Sequence, residues 1–176
     1  LRWTGGQRYK GNLFGSRSEL RLVMQESAQN LTSEERAMIN RVLDLQNVTI
    51  SSITLPLGKV VGVETQTPIR ETLELCRRHQ LTRLPVWERK DGGRRVVGLV
   101  NLNTLLFAPE LDPEKPAAAF LKPALYLRED LRLEEALRRL QRSGQRLAIV
   151  LGRDQREVGI VSLQDILKSI FGEVSL

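Results

Sequence analysis

Cysteine, histidine and aromatic side chains are all scarce in this chain. One cysteine, Cys76, and one histidine, His79, among 176 residues exclude an internal disulfide and a four-ligand zinc site, and a reducing compartment is the simpler setting. Aromatic residues make up 5%, too few to interleave with basic residues as a stacking platform for bases. No apolar run approaches the roughly 18 residues that cross a bilayer, and no signal peptide opens the sequence. A Gly-rich phosphate loop and a cluster of metal ligands are missing as well. Cys76 and His79 lie three apart with no third group to orient them. Cys76 continues the apolar spacing of Ile69 and Leu73 and reads as core, while His79 suits the negative end of a helix. No catalytic residue and no metal site is assigned.

The rest of the composition is that of a globular protein, 41% hydrophobic and 27% charged, in a length that suits one domain or two small halves sharing a core. Lys and Arg number 27 against 21 Asp and Glu, a net charge of +6 with a pI near 10.0. Such a balance points to a partner carrying phosphate: a nucleotide, a nucleic acid or an anionic membrane surface. The basic stretch from Arg77 to Arg95 has no interleaved aromatics, so a solvated or membrane-facing surface is favoured over nucleic acid, and Trp87 is expected to pack. The chain starts at Leu1 without Met and is expected to be a soluble piece of something longer.

Residues 1–15 are basic and Gly-rich, a poorly ordered lead-in. Ser16 with Glu19, and Thr32 with Glu35, have capping-box spacing and open two helices. The second, Thr32 to Gln46, carries Met38, Ile39, Val42, Leu43 and Leu45, a stripe broader than a lone helix leaves exposed. A homodimer is expected, with this helix and the last helix of the chain near the contact.

From residue 48 the chain reads as two copies of a β-α-β-β-α unit. The first holds a strand at Lys59 to Val63, a helix started by Thr67-Pro68, strands at Arg83 to Trp87 and Arg95 to Val100 about an Asp91-Gly92-Gly93 turn, and a helix from Leu102 to Phe107. The second holds a strand at Leu125 to Leu127, a helix capped by Asp130, strands at Arg146 to Leu151 and Glu157 to Val161, and a helix from Ser162 to Phe171. Four of the seven prolines fall between them, in Ala108 to Pro123, which marks a linker. The run Gly98 to Leu106 matches Gly159 to Leu167, 61 positions on. The implied divisions are 1–47, a lead-in and helical extension; 48–108, the first unit; 109–122, the linker; and 123–176, the second unit. Units this small do not bury both faces alone. The expected fold class is therefore mixed α/β (α+β), two units packed sheet against sheet about a pseudo-twofold axis with clefts between them.

Two such units, the first containing Arg83-Leu84-Pro85-Val86 and the second ending in Gly159 to Leu167, resemble a tandem pair of CBS domains over about residues 48–172. The flanks, Glu34 to Leu45 and Phe171-Gly172-Glu173-Val174, are similar to segments framing the pair in CorC/HlyC-type proteins, which are membrane-anchored magnesium and cobalt transport or efflux proteins. The resemblance implies a regulatory, non-catalytic module on the cytoplasmic face of the membrane, whose parent carries a transmembrane domain not present here. It also implies an adenine nucleotide (AMP, ADP or ATP), with Mg²⁺ as a companion, in the clefts, and a flat dimer built through the CBS helices.

The pattern is uneven. Thr54-Leu55-Pro56 stands where the family usually has Met-Thr-Pro, and Asn101 and Thr104 replace the hydroxyl and carboxylate of the Gly-x-x-Ser/Thr-x-x-Asp pattern, so the first half-site (Arg83, Pro85, Asn101, Thr104) is the weaker. The second unit keeps Gly159, Ser162 and Asp165, with Arg146 where the family often has His. Ser162 at a helix start can add a hydroxyl to the amides that favour phosphate, and Asp165 can accept from a ribose diol, with adenine in an apolar slot near Tyr126 and Ala148. The same Ser-x-x-Asp spacing also makes an ordinary helix cap. Other readings are a ligand-free dimerisation scaffold and a basic nucleic-acid-binding module.

Overall fold

The computed structural model describes residues 30–44 and 47–172, together with Glu19 and Leu22. The lead-in, most of the helix expected from Ser16, Leu45, and the Val42 side chain lie outside the described residues. The chain forms two units, 1–44 and 45–176. In the first, helix α1 (Ser33–Asp44) opens on the expected capping box: Thr32 N–H donates to the Glu35 carboxylate at 2.8 Å and Glu35 N–H to the Thr32 hydroxyl at 3.1 Å. Along its apolar stripe Leu43 is buried, whereas Met38 is half exposed.

The second unit contains β1 (Leu55–Pro56), β2 (Val63–Glu64), α2 (Ile69–His79), β3 (Arg83–Lys90), β4 (Gly93–Asn101), α3 (Leu102–Leu106), β5 (Leu125–Arg128), α4 (Leu133–Ser143), β6 (Leu147–Leu151), β7 (Glu157–Ser162) and α5 (Leu163–Phe171). One sheet runs β2-β3-β4 and the other β1-β7-β6-β5. Within them β2/β3 and β5/β6 are parallel and the remaining pairs antiparallel. This is the mixed α+β architecture the repeat implies. The first hairpin is longer than its apolar core, because Asp91 and Gly92 both take positive φ (42° and 83°), a two-residue turn whose twist lets Lys90 pair with Gly93.

Alternation along the strands gives each sheet two buried faces. One face of the first sheet packs Leu84, Val86 and Val100 on Ile69 and Cys76 of α2 and Leu105 of α3. One face of the second packs Leu127, Ala148, Val150 and Val161 on Leu133 and Leu140 of α4 and Ile166 of α5. The opposite faces meet through Trp87, Val96 and Leu99 from one sheet and Leu147 and Ile149 from the other. The expected sheet-on-sheet packing is therefore present, with Cys76 and Trp87 in the core.

The stretches outside the repeats' regular elements are packed straps. Residues 48–56 complete the second half: Ile50 is buried in its core, the Val48 carbonyl accepts the Leu133 N–H at 3.0 Å, and Leu55 pairs with Ile160. The Pro-rich linker does the same for the first half. Its Lys115 and Pro113 carbonyls accept the Ile69 and Arg70 N–H groups at 2.9 and 3.0 Å, and Lys122 and Leu99 exchange two bonds of 2.8 and 2.9 Å. Backbone capping by the strap explains why Asp130 does not cap α4 as expected. The N-cap is Arg132, without a side-chain bond, and the Asp130 carboxylate is held by Arg128 at 2.7 and 3.1 Å. The strand expected over Lys59 to Val63 shortens to Val63–Glu64, because Leu57–Lys59 closes a 3₁₀ turn with Val60 N–H on the Leu57 carbonyl at 3.2 Å.

The straps cross the sheets at the motif glycines. A Cβ on Gly98 would lie 2.5 Å from the Lys122 carbonyl oxygen, and one on Gly159 would overlap the Leu55 carbonyl. In urea unfolding, Gly98→Ala and Gly159→Ala are each expected to lose about 1–3 kcal/mol or more, the range for overpacking. Gly58→Ala, where nothing lies within 4 Å of the added carbon, should stay within about 0.5 kcal/mol of the parent.

Candidate functional site

Strand β7 runs directly into α5, and Ser162 is the N-cap at the junction. Its hydroxyl accepts the Asp165 N–H at 3.0 Å, and the Asp165 carboxylate accepts the Ser162 N–H at 3.4 Å, a reciprocal capping box. The Leu163 N–H is bonded to the Arg146 carbonyl at 2.9 Å. Two of the first-turn amides that would otherwise face a phosphate are thus satisfied within the chain. Asp165 is exposed and Ser162 half-buried. The first repeat builds the same frame with weaker chemistry. Asn101 caps α3 by accepting the Asn103 N–H at 2.9 Å, and the Leu102 N–H bonds to the Thr82 carbonyl at 2.8 Å. Half-buried Thr104 stands where the second repeat has its carboxylate.

Arg83 begins β3, and Arg146 immediately precedes β6, at the place Thr82 holds in the first repeat. The Arg83 guanidinium donates to the Thr82 hydroxyl at 3.0 Å. Its pKa is pulled down, first by burial and then by the nearby Arg146 guanidinium. Among the described residues neither arginine has a carboxylate partner. Pro85 is buried in β3 opposite Leu99, and Gly159 is buried under the Leu55 strap.

The two residues of the expected adenine slot are kept apart. Ala148 is fully buried on the helix face of its sheet, among Leu127, Leu133 and Val161. Tyr126 pairs with Ile149, on the inter-sheet face, and its hydroxyl donates to the Val96 carbonyl at 2.8 Å. The buried carboxylate of Glu157 beside it has no counterpart in the sequence reading. It takes the Arg95 guanidinium at 3.0 and 3.2 Å and the Val96 N–H at 2.9 Å. Its signal in the sequence was a lone charge heading an otherwise apolar strand. A groove along α2, lined by Arg70, Glu71, Glu74, Leu75 and Arg78, shares none of these residues. There the Glu74 carboxyl is held below its usual range by Arg77 and, less strongly, Arg78.

Among the described residues no helix is long and apolar enough to cross a membrane. Nor do three His, Cys, Asp or Glu side chains gather where they could hold a metal ion.

Two α/β repeats closing on each other, each ending in a capped Gly-x-x-cap helix, are matched by the CBS domain model over residues 50–110 and 119–172, and the chain belongs to the CBS domain family as a tandem pair. Among curated relatives it is 29% identical over 167 residues to the UPF0053 protein YhdT of Bacillus subtilis, covering 90% of this chain and 36% of that protein. It is 26% identical over 179 residues to the UPF0053 protein Rv2366c of Mycobacterium tuberculosis, covering 98% and 40%. The chain thus spans about two fifths of the length of these relatives. Among solved structures it is similar to the CBS domain of the bacterial CNNM/CorC family Mg²⁺ transporter, with a TM-score of 0.81 and 26% identity, over 92% of this chain and 99% of that one. A structure of such a CBS domain in complex with ATP matches with a TM-score of 0.72 and 26% identity, over 80% and 99%.

Two outcomes test the local chemistry. Ser162→Ala is expected to cost about 1 kcal/mol in urea unfolding through loss of the cap. The Tyr126 phenol is pushed up, by burial first and then by the Glu157 carboxylate, against a smaller pull from Arg95. The folded state therefore holds this proton more tightly than the unfolded chain, and stability falls as pH rises through about 10, the ordinary phenol value. Tyr126→Phe should flatten that alkaline fall, read as the slope of unfolding free energy against pH.

Proposed function

We propose that this chain is the regulatory CBS-pair module of a membrane ion transport protein, on the cytoplasmic face, and that it binds an adenine nucleotide beside Ser162 and Asp165 while doing no catalysis of its own. The observation that carries the reading is the likeness, over nearly the whole chain, to the CBS domain of a Mg²⁺ transporter, one structure of which holds ATP. The local chemistry supports it. The cap uses one carboxylate oxygen of Asp165, so the other is left for a ribose hydroxyl, and Arg83 and Arg146 supply positive charge for phosphates. Mg²⁺ in this reading arrives on the nucleotide's phosphates, since the described residues offer no metal-holding cluster. Gly159, Tyr126 and Ala148 serve as the sheet on which the site is built. Asn101, Thr104 and Pro85 frame a second, weaker half-site.

The transmembrane domain belongs to the parent protein in this reading. The partner is a second copy of the chain. Leu106 and Phe107 at the end of α3, and Leu167 and Phe171 on α5, are exposed apolar side chains on equivalent helices of the two repeats, suited to burial across a twofold axis.

The complete Ser162–Asp165 capping box favours a second reading, a dimerisation scaffold with empty clefts. Titration calorimetry with AMP, ADP and ATP, with and without Mg²⁺, separates the two. Binding that Asp165→Ala weakens by about tenfold or more supports the nucleotide site, at about 1.4 kcal/mol per tenfold. Neither heat nor a melting shift at millimolar nucleotide would leave only the scaffold. In sedimentation, a persistent 20.0 kDa species at high micromolar concentration would rule out the dimer.

A further inference from the structure

Among the described residues, side-chain hydrogen bonds joining the two sheets gather at two neighbouring residues, Arg95 and Val96. Near the start of β4, Val96 is gripped at both ends by side chains of the second half: its N–H donates to Glu157 at 2.9 Å and its carbonyl accepts from the Tyr126 hydroxyl at 2.8 Å. Arg95 next to it bonds Glu157 at 3.0 and 3.2 Å and the Gln155 carbonyl at 3.0 Å. The grip falls where the β3–β4 ladder shifts register between Val86 and Trp87, so side chains bond the backbone N–H and carbonyl of a residue beside an irregular ladder.

The repeat makes this grip one-sided. An offset of 61 places Val96 at the position of Glu157, and the strand registers, Val63 on Val86 in one repeat and Leu127 on Val150 in the other, place Gly62 at the position of Tyr126. A valine and a glycine have no side-chain group to return the hydrogen bonds, so the pseudo-twofold mate of the grip does not exist.

The apolar layer of Trp87, Val96, Leu99, Leu147 and Ile149 draws the sheets together but is non-directional. Bonds of fixed geometry around a carboxylate whose side chain is 3% exposed select one arrangement, as buried polar groups do when they specify rather than stabilise. The Arg95 side chain, 51% exposed, remains in reach of solvent, so the pair can part without exposing either helix-side core.

We infer that Glu157, Tyr126 and Arg95 form a one-sided latch that fixes the angle between the two sheets, and that its release, with both halves still folded, is the motion by which they change their relative orientation. The inference is independent of the nucleotide reading and needs no ligand to test.

The test uses Glu157→Gln and Tyr126→Phe in the full chain, followed by native-state amide exchange and residual dipolar couplings. In both variants the Val96 amide is expected to exchange about tenfold faster or more, while the amides of Leu73 in α2 and Leu137 in α4 keep their protection. One alignment tensor should describe both halves in the parent chain and fail in the variants. The inference is overturned by unchanged Val96 exchange in both variants. It is equally overturned by acceleration spread over both helices, which would make the network a general stabiliser, or by a single tensor that still fits both halves.

Discussion

The fold turns on two places where a backbone carbonyl lies on a sheet with no room for a side chain beneath it. At Gly159 the carbonyl is that of Leu55, and at Gly98 that of Lys122. Each crossing lets a strap run along the sheet edge and continue to the start of a helix, where its carbonyls accept the first amides of α4 or α2. The requirement for glycine is steric, set by close approach rather than by an unusual φ. Each half then consists of a sheet, two helices and a strap, and residues 48–56, at the start of the first unit in sequence, belong to the core of the second half.

The same crossings position the candidate site. Each motif glycine lies three residues before the N-cap of α3 or α5, so a strap passes close to both helix starts. Ser162 and Asp165 are therefore cap and candidate ligand group at once, and the same atoms serve both roles. The Leu163 and Asp165 amides are already bonded within the chain, so in the proposed nucleotide site anion recognition falls to the side chains of Arg83 and Arg146.

The copies share a frame and differ in chemistry. Asn101 and Ser162 both cap, but a carboxylate follows in one repeat and Thr104 in the other. Glu157 and Tyr126 have only Val96 and Gly62 as their counterparts. The repeat thus sets the architecture, and point differences at equivalent positions give the two helix starts different chemistry.

Features encoded within three or four residues were legible in the chain by itself: the Thr32/Glu35 and Ser162/Asp165 boxes, the Asp91-Gly92 turn, the buried Ile69 and Cys76 face of α2, and the repeat that implies two packed sheets. Each depends on local spacing, which side-chain identity reports directly. Only the tertiary structure decided the rest. The strap carbonyls of Val48 and Lys115 that displace a side-chain cap carry no residue signature, since every residue has the same carbonyl. That Tyr126 and Ala148 lie on opposite faces follows from the β5–β6 register, and that Glu157 reaches Val96 follows from how two sheets meet. Both are pairings across tens of residues, set by the packing of whole faces, and no local pattern specifies them.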